Sequence, residues 1–137
     1  MKSSGVLVDT SVWISYLNGG EELEVAALMS LIRQDQKISI CPVIVQETLQ
    51  GIKSDSQFKL VKESLLSFDI LEWDSIEAAL SGALIYRALR KKGVTIRKSN
   101  DCTIAAFARK FDMQVLHIDR DFEIMSKVGI ISQFKSF

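Results

Sequence analysis

Short apolar runs alternate with longer stretches whose apolar residues recur every three or four positions. Val6-Leu7-Val8 is a compact β-branched run and predicts a buried strand. After Asp9, Thr10 or Ser11 is expected to cap a helix carrying Val12, Trp13, Tyr16 and Leu17, stopped by Asn18-Gly19-Gly20. The stretch from Glu21 to Gln34 places Leu23, Ala27, Leu28, Leu31 and Ile32 along one side, with acids in its first turn. Ile38 to Cys41 reads as a second strand, and Pro42 opens a helix reaching Ile52. Ser54 or Asp55 caps the next helix, through about Ser67, and Ile70-Leu71 is a short third strand. A long helix follows, capped by Asp74 or Ser75, reaching Lys92 and ended by Gly93. Ser99 or Asn100 caps another to Phe111, and Val115 to Ile118 is the fourth strand. A short helix from Phe122 to Lys127 and an edge strand at Ile130-Ile131 complete the pattern.

Strands alternating with helices predict a three-layer α/β/α sandwich around a mainly parallel sheet of about four to five strands. No repeat, low-complexity tract or linker divides the chain, so residues 1–137 are expected to form one domain. Composition narrows the function. Apolar residues at 47% and charged residues at 25% exclude intrinsic disorder over most of the length. Lys+Arg and Asp+Glu are 17 each, so any affinity for a polyanion must come from local clustering. Cys41 and Cys102 are far apart and His117 is the one histidine, which rules out a disulfide scaffold, a zinc knuckle and a histidine-rich metal site. The polar start at Met1 to Gly5 is no secretory signal, and no apolar run nears the ~20 residues of a membrane span, so a cytoplasmic protein is expected.

Against this frame several acids are conspicuous. In parallel sheets, ligands bind beyond the carboxyl ends of the strands. Asp9 ends the first strand, Asp119 ends the fourth, and Asp121 lies two residues on. Glu47 shares a helix face with Val43 and Ile44, and Asp101 begins the stripe of Ile104, Ala105 and Ala108. Each alone is explained as a cap, a first-turn acid or an edge-of-stripe side chain reaching water. Together they would converge on one crevice, where mutual repulsion is relieved by a retained proton or a bound cation. Oxygen-only ligands favour Mg²⁺ or Mn²⁺, ions that support hydrolysis at phosphorus.

At these residues the sequence resembles the PIN-domain family, and within it the VapC-type ribonuclease toxins. The matching stretches are Val8 to Ile14, Cys41 to Gly51, Asn100 to Ala108 and Leu116 to Phe122. They occur in order and span nearly the whole chain. The resemblance implies that Asp9, Glu47, Asp101 and Asp119 are an acidic quartet holding one or two divalent ions. Asp121 would be a supporting or alternate ligand, and Ser11 a hydroxyl that hydrogen-bonds within the site. It further implies cleavage of a specific tRNA or rRNA, a homodimer, and neutralisation by a VapB-type antitoxin.

Arg87, Arg90, Lys91, Lys92, Arg97 and Lys98 form a run without an acid, a candidate grip on RNA phosphates or a set of cations favoured by a helix C-terminus. Trp13, Tyr16 and Phe122 are candidates for base stacking or core packing; His117 and Cys102 read better as packed residues than as catalysts. No phosphate loop, dinucleotide fingerprint or nucleophile elbow is present. Two other readings stand beside the nuclease: a PIN-like module that binds without cutting, and an aspartate phosphoacceptor. The second lacks the late lysine such a site needs, since Asp119 follows the fourth strand.

Overall fold

The computed structural model describes residues 5–135, so most of the polar start lies outside the described residues. Chain order is β1 (Val6–Val8), α1 (Thr10–Leu17), α2 (Leu23–Arg33), β2 (Ile38–Ile40), α3 (Pro42–Gln50) and α4 (Asp55–Leu65). Then come β3 (Asp69–Ile70), α5 (Ser75–Lys91), α6 (Ser99–Lys110), β4 (Gln114–Leu116), α7 (Arg120–Lys127) and β5 (Ser132–Gln133). The five strands form one parallel sheet in the order β3-β2-β1-β4-β5. Helices flank it in a three-layer α/β/α sandwich, the expected class.

Burial on both faces explains the central strands. All side chains of β1 and β2 are buried, as parallel strands covered by helices require. Leu7, Val8, Ile40, Val115 and Leu116 have no measurable exposure, and Leu28, Ile44, Leu89, Ile104 and Phe122 close over them from the helices. The chain leaves β1 towards β2 on one side and returns to β4 on the other. The crevice beyond the carboxyl ends of β1 and β4 is therefore the switch point of the sheet, where α/β proteins hold ligands.

Several boundaries differ from expectation, each for a local reason. Asp9, not Thr10 or Ser11, caps α1, because its carboxylate accepts from the Ser11 N–H at 3.0 Å. Lys98 takes the cap position of α6 without a side-chain bond, since the Asn100 amide is turned to Glu47. Asp119 caps α7, which starts two residues before Phe122. Ile130 and Ile131 form no strand. The Ile130 N–H donates to the Met125 carbonyl, past Gly129 at φ +83°, and pairing with β4 starts only at Ser132. β3 begins one residue early, where Asp69 accepts from Ser39 Oγ at 3.0 Å.

Two contacts orient α5. Trp73, just before it, meets Phe107 at 5.3 Å between ring centroids, late in α6, and Gly82 lies against Thr103 in the first turns of α6. The helices are therefore antiparallel, and the basic end of α5 projects past the end of α6 that carries Asp101.

Candidate functional site

A cleft of about 190 Å³ opens at the switch point, lined by Asp9, Thr10, Ser11, Ile14, Glu47, Gln50, Lys98, Asp101 and Asp119. Four separate elements supply its acids. Asp9 is delivered by the end of β1, where its N–H donates to the Leu116 carbonyl of β4 and couples the two central strands. Asp9 Oδ2 accepts from the Ser11 N–H and from Ser11 Oγ at 2.6 Å. Ser11 Oγ in turn accepts from the Ile118 N–H at 3.1 Å, so one hydroxyl ties the two strand ends together.

Glu47 projects from the middle of α3 and is held on both oxygens. Thr10 Oγ1 donates to Oε1 at 2.8 Å and Asn100 Nδ2 donates to Oε2 at 3.2 Å. Thr10 and Asn100 had read only as helix-cap candidates. Their spacing from Asp9 and Asp101 is the signal: each neighbours an acid at the entry of its helix, positioned to steady a third carboxylate.

Asp101 sits in the first turn of α6 and is 4% exposed. Its Oδ2 is buried with no hydrogen-bond partner, an expensive state for a charged oxygen. Burial, then the charges of Asp9, Asp119, Glu47 and Asp121, push its carboxyl up to about 7. Asp9 is also raised, chiefly by burial, against the opposing pull of its Ser11 bonds.

Asp119 and Asp121 divide the other flank. Asp119 Oδ1 accepts from the Asp121 N–H at 2.8 Å and from Arg97 Nη2 at 3.3 Å. Asp121 is buried outside the cleft lining, and its Oδ2 accepts from the Arg97 N–H and Nε. One oxygen each of Asp101, Asp119 and Asp121 lie within 4.8 Å of one another.

Oxygen-only donors, converging acids and the unpartnered Asp101 oxygen fit a hard divalent cation. Neither cysteine competes: burial pushes the thiols of Cys41 and Cys102 up to about 12 and about 11. His117 is packed, with Nε2 2.8 Å from Gln133 Oε1 and its ring tilted on Phe122 at 5.4 Å. Trp13 is buried and donates Nε1–H to the Val8 carbonyl; Phe122 is fully buried, which leaves Tyr16 as the one partly exposed ring of the three. Of the basic run, Lys98 lines the cleft, Arg97 is bound to acids, and Arg87, Arg90, Lys91 and Lys92 are exposed at the projecting end of α5.

A parallel α/β/α sandwich with a carboxylate-lined cleft at its switch point has the place and the donors for a hard cation. The PIN domain model matches residues 6–128, and the chain belongs to that family. It is 29% identical over 124 residues to VapC ribonuclease Mb1587 of Mycobacterium bovis and to ribonuclease VapC11 of Mycobacterium tuberculosis, covering 90% of this chain and 92% of each relative. The fold resembles that of VapBC2 from Rickettsia felis, solved with a promoter DNA fragment (TM-score 0.71, 14% identity, 94% of this chain and 96% of that one). It also resembles DNA-bound VapBC from Salmonella typhimurium (TM-score 0.70, 21% identity, 95% and 96%). A third similar fold is Mycobacterium tuberculosis VapC20, described as a Sarcin-Ricin loop cleaving toxin (TM-score 0.64, 15% identity, 87% and 93%).

Proposed function

We propose that this chain, acting as one domain over residues 1–137, is a divalent-cation-dependent endoribonuclease toxin working in the cytoplasm and neutralised by a VapB-type antitoxin. The observation that carries the reading is Asp101: a buried carboxylate with an unpartnered oxygen, surrounded by four more acids, at the switch point of a PIN fold. Asp9, Glu47, Asp101 and Asp119 would hold Mg²⁺ or Mn²⁺, with Asp121 steadying Asp119 through its backbone N–H. The cation would supply charge neutralisation at phosphate oxygens and a more acidic water, the two needs of phosphodiester hydrolysis.

The remaining roles belong to the protein. Ser11 fixes Asp9, Thr10 with Asn100 fixes Glu47, and the Asp121 N–H with Arg97 fixes Asp119, so three of the four carboxylates are set before a substrate arrives. Lys98 at the cleft and Arg87, Arg90, Lys91 and Lys92 beyond it offer cations to an RNA backbone, as polyanion binding requires. No helix among the described residues is long and apolar enough to cross a membrane.

The surface supports the partners. Ile14, at the cleft, and Leu23, Met29 and Ile32 on α2 are exposed apolar side chains suited to an antitoxin segment that reaches the acids. Ile76, Leu80 and Leu84 are 66%, 61% and 66% exposed at four-residue spacing on α5, a stripe suited to a second copy in a homodimer.

The test is digestion of total cellular RNA by partner-free protein with Mg²⁺, with Mn²⁺ and with EDTA. Discrete fragments that vanish with EDTA are expected, and their ends identify the tRNA or rRNA target. Cation binding without cleavage of any RNA pool would favour the module that binds without cutting.

A further inference from the structure

Arg97 read from sequence as one more cation for an RNA backbone. In the fold it is the member of the basic run that is ion-paired to the acids. Its Nη2 lies 3.3 Å from Asp119 Oδ1, and its Nε lies 3.3 Å from Asp121 Oδ2. Its backbone N–H adds a third bond, to the same Asp121 oxygen at 3.1 Å. The Arg97 side chain is 68% exposed, whereas the Asp121 side chain is 5% exposed, so the cation lies over the acid pair from the solvent side. The planar fork thus spans both carboxylates, and an arginine side chain keeps its charge in proteins.

The five acids offer two places for a cation. One is the cleft itself, bordered by Asp9, Glu47, Asp101 and Asp119. The other is the flank where Asp101, Asp119 and Asp121 converge. On that flank, the oxygens of Asp119 and Asp121 named above already face a permanent positive charge. A metal ion entering there would displace the guanidinium or sit beside a like charge.

We propose that Arg97 is a built-in cation that occupies the Asp119–Asp121 flank, so that the site takes one divalent ion per chain and not two. Arg97 is a positioning residue: it acts through the two aspartates, and its planar fork bridges both at once. This rests on the cation-binding reading of the cleft given above.

The experiment is a Mn²⁺ titration of the purified chain, with bound ions counted by equilibrium dialysis and ion–ion coupling read by electron paramagnetic resonance. Wild type is expected to bind one Mn²⁺ with an uncoupled spectrum. Arg97→Ala, at an exposed position that leaves the core intact, is expected to bind two, with the broadening of neighbouring spins. Arg97→Lys keeps a charge at the flank and is expected to stay at one. Lys98→Ala removes a cleft cation that is in no ion pair among the described residues, and it too is expected to stay at one. Two ions on wild type, or one on Arg97→Ala, would overturn the inference and leave the cation site standing. Two on Lys98→Ala would show a general charge effect and overturn it as well. No Mn²⁺ on wild type would overturn the cation site and this inference together.

Discussion

Asp101 concentrates the residue-scale cost of the site. Its carboxyl titrates near 7 in the fold, against an ordinary value near 3.8. Between these pH values the folded chain holds a proton that the unfolded chain has released. The contribution to stability is therefore full below about pH 4 and lost as pH rises through about 7. Chemical denaturation in EDTA is expected to show this decline, and Asp101→Asn, neutral throughout, to flatten it. Saturating Mg²⁺ is expected to restore the stability lost by wild type above pH 7, through preferential binding to the folded chain. Ser11 tests a second residue. Ser11→Ala removes the hydroxyl that donates to Asp9 and accepts from Ile118. We expect it to cost about 1–3 kcal/mol in a urea melt, because the part-buried Ile118–Asp9 link loses its middle member, and to weaken Mn²⁺ binding about 10- to 100-fold. Asp9, Asp101, Asp119 and Asp121 were legible in the sequence because each followed a strand or opened a helix, and Glu47 because it shares an apolar face of α3 with Val43 and Ile44. Thr10 and Asn100 were not, because a hydroxyl or amide at a helix entry caps that helix far more often than it steadies a distant glutamate.

At the scale of elements, apolar periodicity placed eleven of the twelve described helices and strands closely, β5 being the exception, and turn chemistry placed most of their ends. Gly93 at φ +78° ends α5 as expected, and no neighbour lies within 4 Å of where its Cβ would be. Gly93→Ala is expected to destabilise by about 1 kcal/mol in a thermal or urea melt, purely from backbone strain. Where sequence and structure part, a polar group had found a partner the local pattern does not encode. The Ile130–Ile131 pair is apolar and β-branched, yet its first N–H closes the end of α7, and the two side chains pack on the core. The parallel register was likewise beyond local reading, since Gln114 pairs with Ser132 only after that turn is formed.

For the whole molecule, a net charge of zero hides a segregated surface. Acids gather at the switch point, while Arg87, Arg90, Lys91 and Lys92 project from α5 beyond it. That juxtaposition was not legible in the sequence, because it depends on α5 and α6 being antiparallel. Reversing charge at Arg90 and Lys91 together is expected to weaken RNA binding and flatten its dependence on salt, with Mn²⁺ affinity unchanged, in filter-binding and titration assays. The apolar stripe on α5 is a property of the assembled molecule too. Leu80→Glu with Leu84→Glu is expected to shift sedimentation from dimer to monomer without lowering the melting temperature of the monomer. If a divalent cation held by these acids drives RNA cleavage, Asp101→Asn removes the carboxylate on which the site most depends. On the RNA target mapped for wild type, in saturating Mg²⁺, the variant is expected to lose at least about 100-fold in single-turnover rate with an unchanged circular dichroism spectrum. A well-folded Asp101→Asn protein that cleaves at the wild-type rate would contradict it.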